Sequence, residues 1–207
     1  MTGNRHIIPT LVRQLIRGER MRTFIALEPP ADLRAAIGEL SGALDDLMPG
    51  MKWVKAANIH LTLRFLGEIE TARLEDASVA VAGAAAAISS FDLRPTGLGH
   101  FGSPRKPRVV WLGLAHIDNL TELAAGIEER LEESGFGRAD KPFSAHLTLA
   151  RAGRRPGPPP DWERTRAAAS PDWPAWTVSE VCVIKSTLTP RGPIYDIISR
   201  HELSANP

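Results

Sequence analysis

HLTLRFLG, residues 60–67, contains a four-residue motif that returns as HLTLA at residues 146–150. Side chains of a β-strand alternate between two faces, so the histidine and threonine of each copy share one face and the two leucines share the other. Each copy therefore predicts an amphipathic strand that buries its leucines and presents an imidazole and a hydroxyl. The presented residues are His60 and Thr62 in the first copy and His146 and Thr148 in the second.

The repetition favours catalysis over packing, because a single His-x-Thr on a strand is usually structural whereas two matched copies can form one site. A neutral and a protonated imidazole provide a base and an acid near neutral pH. A threonine hydroxyl donates a hydrogen bond to an anionic oxygen without adding charge. The set suits in-line displacement at phosphorus, although the spacing does not decide which histidine is the acid.

A metal site is the weaker interpretation of the two histidines. Zinc sites use three or four protein ligands, and neither motif contains a second ligand, so His100 or His116 would have to complete one. Cys182, the only cysteine, alternates within an apolar strand pattern and is predicted to be buried. There is no Gly-rich phosphate loop of the nucleotide-binding kinds. We therefore expect neither a metal nor another cofactor.

Composition limits the class of protein. The 207 residues have a net charge of +1, which lacks the large basic excess of strong non-specific nucleic-acid binders. No apolar run approaches the length of a membrane span, and one cysteine suits a reducing, cytoplasmic location. We expect a monomer with an N-terminal extension at residues 1–20 and a single bilobal domain at residues 21–207.

The order of predicted elements indicates an α+β fold. Strand patterns alternate with three helix patterns at residues 31–47, 71–88 and 117–136. The Pro- and Gly-rich residues 152–176 are interpreted as an internal excursion rather than a linker, because two more strand patterns follow. The elements around the two HLTL motifs recur in a similar order, which favours two related antiparallel lobes with outer helices and a central cleft.

The sequence resembles the two-histidine (2H) phosphoesterase superfamily. Within it, the RNA 2′,3′-cyclic phosphodiesterase family, also called 2′-5′ RNA ligase-like proteins, is most similar. The resemblance covers about residues 21–203. The segments that carry it are MRTFIALEPP, WVKAANIHLTLRFLG, GLGHFGSPRKPRVVWLGL, KPFSAHLTLAR and STLTPRGPIYDII. Ala145 stands where we expect this family often to have a proline, which concerns strand orientation rather than chemistry.

The resemblance implies metal-independent hydrolysis of an RNA-terminal 2′,3′-cyclic phosphate to a 2′-phosphate, with 2′-5′ ligation as an associated activity. By this resemblance His60 is the proton donor, His146 the proton acceptor, and Thr62 and Thr148 hold the phosphate oxygens. The implied partners are RNA ends or nucleoside 2′,3′-cyclic phosphates, with no membrane. Two alternatives stay open: a non-catalytic RNA-end binding protein, and a 2H phosphodiesterase acting on a 2′-5′ linkage or a small cyclic nucleotide.

Four further residues are candidate substrate contacts. Arg64 shares strand parity with His60, so a regular strand would aim it along the cleft, whereas Arg151 has the opposite parity unless its strand bends. Either arginine could neutralise phosphate, with a solvated or ion-paired arginine as the alternative for each. Phe143 and Tyr195 are candidates for stacking on a base, with core packing as the alternative for Phe143. The basic turn at residues 105–108 is a further candidate for guiding RNA, against the alternative that it is only solvated.

Overall fold

The computed structural model describes residues 18–169 and 172–205. The strands are β1 (Arg20–Leu27), β2 (Met51–Trp53), β3 (Leu61–Glu70), β4 (Phe91–Leu93), β5 (Pro95–Ser103), β6 (Lys106–Leu114), β7 (His146–Ala152), β8 (Trp176–Val178), β9 (Glu180–Thr189) and β10 (Gly192–Glu202). The helices are α1 (Ala31–Asp45), α2 (Leu74–Ala85), α3 (Asp118–Glu133) and α4 (Trp162–Ala168). The predicted α+β class is confirmed. Of the expected extension at residues 1–20, residues 1–17 lie outside the described residues, and Arg20 already belongs to β1.

The main sheet consists of two antiparallel halves. Lobe 1 contains β10, β9, β1 and β3 in that order, and lobe 2 contains β2, β7, β6 and β5. In the described part of the chain the halves join through one residue pair, Leu61 of β3 with Leu147 of β7. This arrangement confirms the predicted bilobal, pseudo-symmetric sheet. The short strands β4 and β8 form a separate two-stranded sheet.

The helices cover the outer side of both lobes. α2 and α3 pack against each other, with α2 on β9 and β10 and α3 on β3, while α1 packs against β2 and α4. The main core lies between these helices and the sheet and includes the leucines of both HLTL motifs. Full burial of a leucine contributes about 1.5–3 kcal/mol, so these side chains anchor the two central strands. The alanine-rich α2 is a packed helix, as predicted, with Ala77, Ala80 and Ala84 buried.

The Pro- and Gly-rich excursion after β7 is part of the domain, as predicted, but it contains a helix that the pattern did not predict. α4 spans only seven residues, too few to show helical periodicity clearly. The Asp161 side chain caps it by accepting a hydrogen bond from the backbone N–H of Arg164 at 3.0 Å. Across the described residues, no helix combines the length and the apolar character that crossing a membrane requires.

Candidate active site

The two HLTL motifs lie side by side because β3 and β7 run antiparallel and pair through the leucine that follows each histidine. That register directs His60 towards Thr148 and His146 towards Thr62. All four polar side chains are half-buried, whereas the leucines of both motifs are buried in the main core. The predicted separation into a polar face and a leucine face is confirmed, and the polar face forms the cleft.

Each imidazole is oriented by a carbonyl two residues earlier in the chain. Nδ1 of His60 lies 2.8 Å from the carbonyl oxygen of Asn58, and Nδ1 of His146 lies 2.8 Å from that of Ser144. A carbonyl oxygen only accepts, so both Nδ1 atoms carry a proton and donate it to these bonds. The Nε2 atom of each ring is left to exchange a proton with a substrate.

Aromatic rings surround both histidines and form much of the cleft floor. The ring centroids of Phe24 and Tyr195 lie 4.7 and 5.2 Å from His60, and those of Phe101 and Trp111 lie 5.1 and 6.2 Å from His146. Trp111 lies across Gly99 of the neighbouring strand, where any side chain would collide with the indole. These rings pack against the imidazoles and limit their rotation.

Burial lowers the pKa of both imidazoles below the ordinary value for histidine. The carbonyl hydrogen bonds oppose this shift, and the charge of Arg151 adds to it for both rings; at His60, Glu28 opposes it. These shifts favour the neutral form of both imidazoles near neutral pH. A bound phosphate anion favours the protonated form of a neighbouring imidazole, so binding of substrate helps to charge the acid.

A bulge in β7 turns Arg151 onto the cleft face. Thr148 and Ala150 pair with consecutive residues of β6, so Leu149 is an extra residue that reverses the alternation. Leu149 and Ala150 are both buried and Arg151 is exposed. The charge of Arg151 lowers the pKa of both catalytic candidates and opposes the rise that burial causes at Tyr195. The prediction for Arg151 required β7 to bend, and the bulge at Leu149 provides that bend.

The corresponding bulge in β3 removes Arg64 from the cleft, and the prediction that Arg64 lies there is wrong. Thr62 and Arg64 pair with consecutive residues of β1, so Leu63 is the extra residue. Arg64 is 8% exposed, its Nε lies 2.9 Å from Oε2 of Glu128 in α3, and its Nη2 donates to the carbonyl oxygen of Gly137 at 2.9 Å. Arg64 ties β3 to the helix side of lobe 1.

The two aromatic candidates have different surroundings. Tyr195 lines a pocket of about 310 Å³ beside His60, together with Lys55, Asn58 and Ile184 among others. Phe143 is half-buried and packs against the main core, which favours the packing alternative for this residue. Both residues stay predictions for stacking on a base, and Tyr195 is the better placed of the two because it lines the pocket beside His60.

Sequence reasoning missed a cation–π pair on the rim of the cleft in lobe 1. The guanidinium of Arg22 lies 4.4 Å from the centroid of the Phe65 ring, and Phe65 is 44% exposed. A second bulge in β3, at Leu66, follows Phe65 and precedes Gly67, whose φ is +73°. A glycine shortly after an apolar strand residue was the one sequence signal that strand alternation would fail here.

Among the described residues, one group of side chains has the composition of a metal site. Glu28, Glu180 and Cys182 have ligand atoms within 4.8 Å of one another. Arg200 forms ion pairs with both carboxylates, at 3.0 Å to Glu28. Burial raises the pKa of the Cys182 thiol to about 12, so it keeps its proton at neutral pH. Because Arg200 already pairs with both carboxylates, this group is better described as an ion-pair cluster beside a buried thiol.

The comparisons with known proteins agree with this geometry. A sequence model of LigT-like phosphoesterases matches residues 27–111 and 114–195, and each stretch contains one HLTL motif. The RNA 2′,3′-cyclic phosphodiesterase of Archaeoglobus fulgidus is 36% identical over 182 residues, 84% of this chain and 96% of the relative. The crystal structure of TT0787 of Thermus thermophilus superimposes with a TM-score of 0.75 at 30% identity, covering 89% of this chain and 99% of that one. Escherichia coli LigT complexed with 3′-AMP gives 0.71 at 27% identity, with the same coverage. The chain belongs to the LigT-like phosphoesterase family.

Proposed function

We propose that this protein hydrolyses the 2′,3′-cyclic phosphate at an RNA end to a 2′-phosphate. The observation that carries the proposal is the Leu61–Leu147 pair, which brings two carbonyl-anchored imidazoles and two threonine hydroxyls to one cleft. The name of the Archaeoglobus relative supports the reaction, and the 3′-AMP bound by Escherichia coli LigT supports a nucleotide substrate.

In the proposed reaction, Nε2 of His146 takes a proton from the attacking water. Nε2 of His60 gives a proton to the 3′ oxygen as the bond between that oxygen and phosphorus breaks, and the bond to the 2′ oxygen remains. Thr62 and Thr148 donate hydrogen bonds to the non-bridging oxygens, where charge develops. The pocket beside His60 supports this division, because the nucleoside that carries the leaving oxygen would lie on that side.

The charged and aromatic neighbours have supporting roles in this proposal. Arg151, on the cleft face of lobe 2, offsets the negative charge of the phosphate. Tyr195 stacks on the terminal base in the pocket of lobe 1. Neither residue moves a proton, so both are expected to affect binding and charge stabilisation more than the acid–base steps.

The test is turnover of a nucleoside 2′,3′-cyclic phosphate and of a short RNA with the same end. The expected product is exclusively the 2′-phosphate, and activity should survive exhaustive chelation. A panel that includes a 2′-5′-linked dinucleotide and a small cyclic nucleotide separates the alternatives. Faster cleavage of either of these would replace the proposed substrate, and tight binding of the RNA end without turnover would support a binding protein instead.

We also propose a cytoplasmic monomer in which residues 1–20 are an extension to the catalytic domain. The single cysteine is buried, so it is not placed to form a disulfide between chains. Light scattering after gel filtration measures the oligomeric state. Removal of residues 1–17 should leave turnover unchanged, and localisation of a tagged protein tests the compartment.

A further inference from the structure

A basic groove lies at the end of lobe 2, where β7 stops. It has a volume of about 170 Å³ and lies between the tip of the β5–β6 hairpin and the Pro- and Gly-rich residues 153–160. The hairpin contributes Arg105, Lys106 and Arg108 to the lining, which includes no acidic residue among the described ones. Arg154 and Arg155 are exposed on the segment that forms the other wall.

The groove lies at the end of β7, next to its cleft-facing residue Arg151. Arg151 faces the cleft, and the next two residues, Ala152 and Gly153, line the groove. Lys52 of β2 lies directly opposite Arg151 in the sheet. Like charges in that position destabilise a sheet, so packing does not explain why both are present.

These cations lie on both faces of the sheet at this end of lobe 2, and together they form the lobe 2 basic track. Its members are Lys52, Arg105, Lys106, Arg108, Arg151, Arg154 and Arg155. Within residues 18–169 and 172–205, no member forms an ion pair with an acidic side chain. The chain as a whole is close to neutral, so this concentration of unpaired positive charge is local.

Apolar and backbone contacts hold the like charges together. The backbone N–H of Gly153 donates to the carbonyl oxygen of Gly50 at 2.8 Å, and Gly157 approaches Pro49 so closely that no side chain would fit there. On the hairpin side, Nε1 of Trp162 donates to the carbonyl oxygen of Pro104 at 2.8 Å. The fold therefore fixes two basic segments beside each other against their mutual repulsion, which an anionic ligand would relieve.

We propose that the lobe 2 basic track binds backbone phosphates of the RNA strand next to its reacting end. The inference rests on the RNA substrate proposed above. From His146 to Gly153 the strand advances about 23 Å, at about 3.3 Å per residue, which is long enough to contact several phosphates. The groove lining contains prolines, glycines and methionines but no aromatic side chain for stacking. Binding there should consequently be electrostatic and independent of base sequence.

The test compares a nucleoside 2′,3′-cyclic phosphate with a long single-stranded RNA that has the same end. In the triple variant Arg105→Gln/Lys106→Gln/Arg108→Gln, KM for the long RNA should rise about tenfold at low salt. The salt dependence should weaken by about 2 in the log–log slope, since each single-strand phosphate contact contributes about 0.7. The double variant Arg154→Gln/Arg155→Gln should shift both quantities in the same direction by less. Turnover of the mononucleotide should stay unchanged in both.

The matched control is Arg94→Gln/Arg130→Gln, which removes two exposed arginines remote from the groove. It should behave as the unmodified protein on both substrates. Affinity for the same RNA ending in a 3′-phosphate, measured by fluorescence anisotropy, tests the track without turnover. Unchanged RNA affinity and salt slope in both track variants would overturn the inference. Absence of turnover in the unmodified protein, with RNA affinity still lost in the variants, would instead overturn the proposed reaction.

Discussion

The strands β3 and β7 begin alike and then diverge. A His-Leu-Thr-Leu motif opens β7, and the same motif opens β3 with His60 immediately before the first strand residue. Each imidazole is held by the carbonyl two residues earlier, and both strands bulge at the second leucine. After the bulge, the cleft face of β3 presents Phe65 and that of β7 presents Arg151. The shared motif supplies matched acid–base and hydroxyl groups to the two halves of the cleft. Phe65 and Arg151 then give the two halves different side chains for contacting a substrate.

This difference indicates where the two halves of a nucleotide substrate would bind. The pocket lined by Tyr195 on the His60 side suits a base, and the guanidinium of Arg151 on β7 suits negative charge. The identical motifs alone leave the roles of the histidines interchangeable. The fifth residue after each histidine breaks that symmetry.

The largest expected effect comes from breaking either copy of the shared motif. His60→Ala and His146→Ala should each lower kcat for a nucleoside 2′,3′-cyclic phosphate by about 10²–10⁴-fold, the usual contribution of general acid–base catalysis. His116→Ala is the control, because that imidazole is 79% exposed and outside the cleft. Near-normal turnover in either His60→Ala or His146→Ala would contradict the two-histidine mechanism.

Loss of a hydroxyl should have a smaller effect that is similar in the two halves. Thr62→Val and Thr148→Val keep the side-chain shape but delete the donor to a developing oxyanion, which is expected to cost about 10²-fold in kcat. Thr→Ser at the same positions restores the donor and should recover most of the rate. A loss confined to one threonine would show that only one half of the cleft contacts the phosphate oxygens.

Arg151→Gln should change both the rate and its pH dependence. We expect kcat/KM to fall about tenfold, as for loss of a charged hydrogen bond worth about 1.5 kcal/mol. Arg151 lowers the pKa of both histidines, so its removal lets both rise. The base then needs a higher pH to lose its proton, and the acid keeps its proton to a higher pH. Both limbs of the kcat/KM profile should move upwards, and an unshifted profile would place the guanidinium away from the imidazoles.

The sequence was sufficient for the two central strands, because alternation of His, Leu, Thr and Leu has one amphipathic solution. It also predicted the outer helices α1, α2 and α3, whose apolar or alanine-rich faces extend over three turns or more. It failed just beyond each motif. A bulge depends on the register with a neighbouring strand, and that register is a long-range property that strand periodicity does not contain.

The same limit explains which site residues were missed or misplaced. The assumption that side chains alternate regularly along a strand placed Arg64 in the cleft. The same assumption placed Arg151 in the cleft only if its strand bends. Arg22 and Phe65 were overlooked since they are 43 residues apart in sequence and meet only through the pairing of β1 with β3. Short α4 was missed because seven residues in a Pro- and Gly-rich segment carry little periodic signal.

The smallest expected effect on activity, and the sharpest contrast between the strands, comes from Arg64→Gln beside Arg151→Gln. Arg64 is buried against Glu128 and Gly137, so its loss should lower the free energy of unfolding by about 1–3 kcal/mol, as for other hydrogen bonds to charged groups. Urea midpoints should therefore fall for Arg64→Gln with kcat/KM unchanged while the protein is folded. Arg151→Gln should lose activity without losing stability, since it relieves repulsion with Lys52. Loss of turnover by Arg64→Gln at unchanged stability would instead mean that Arg64 reaches the cleft. That would require β3 to continue without its bulge, and the two strands would then differ in backbone as well as in sequence.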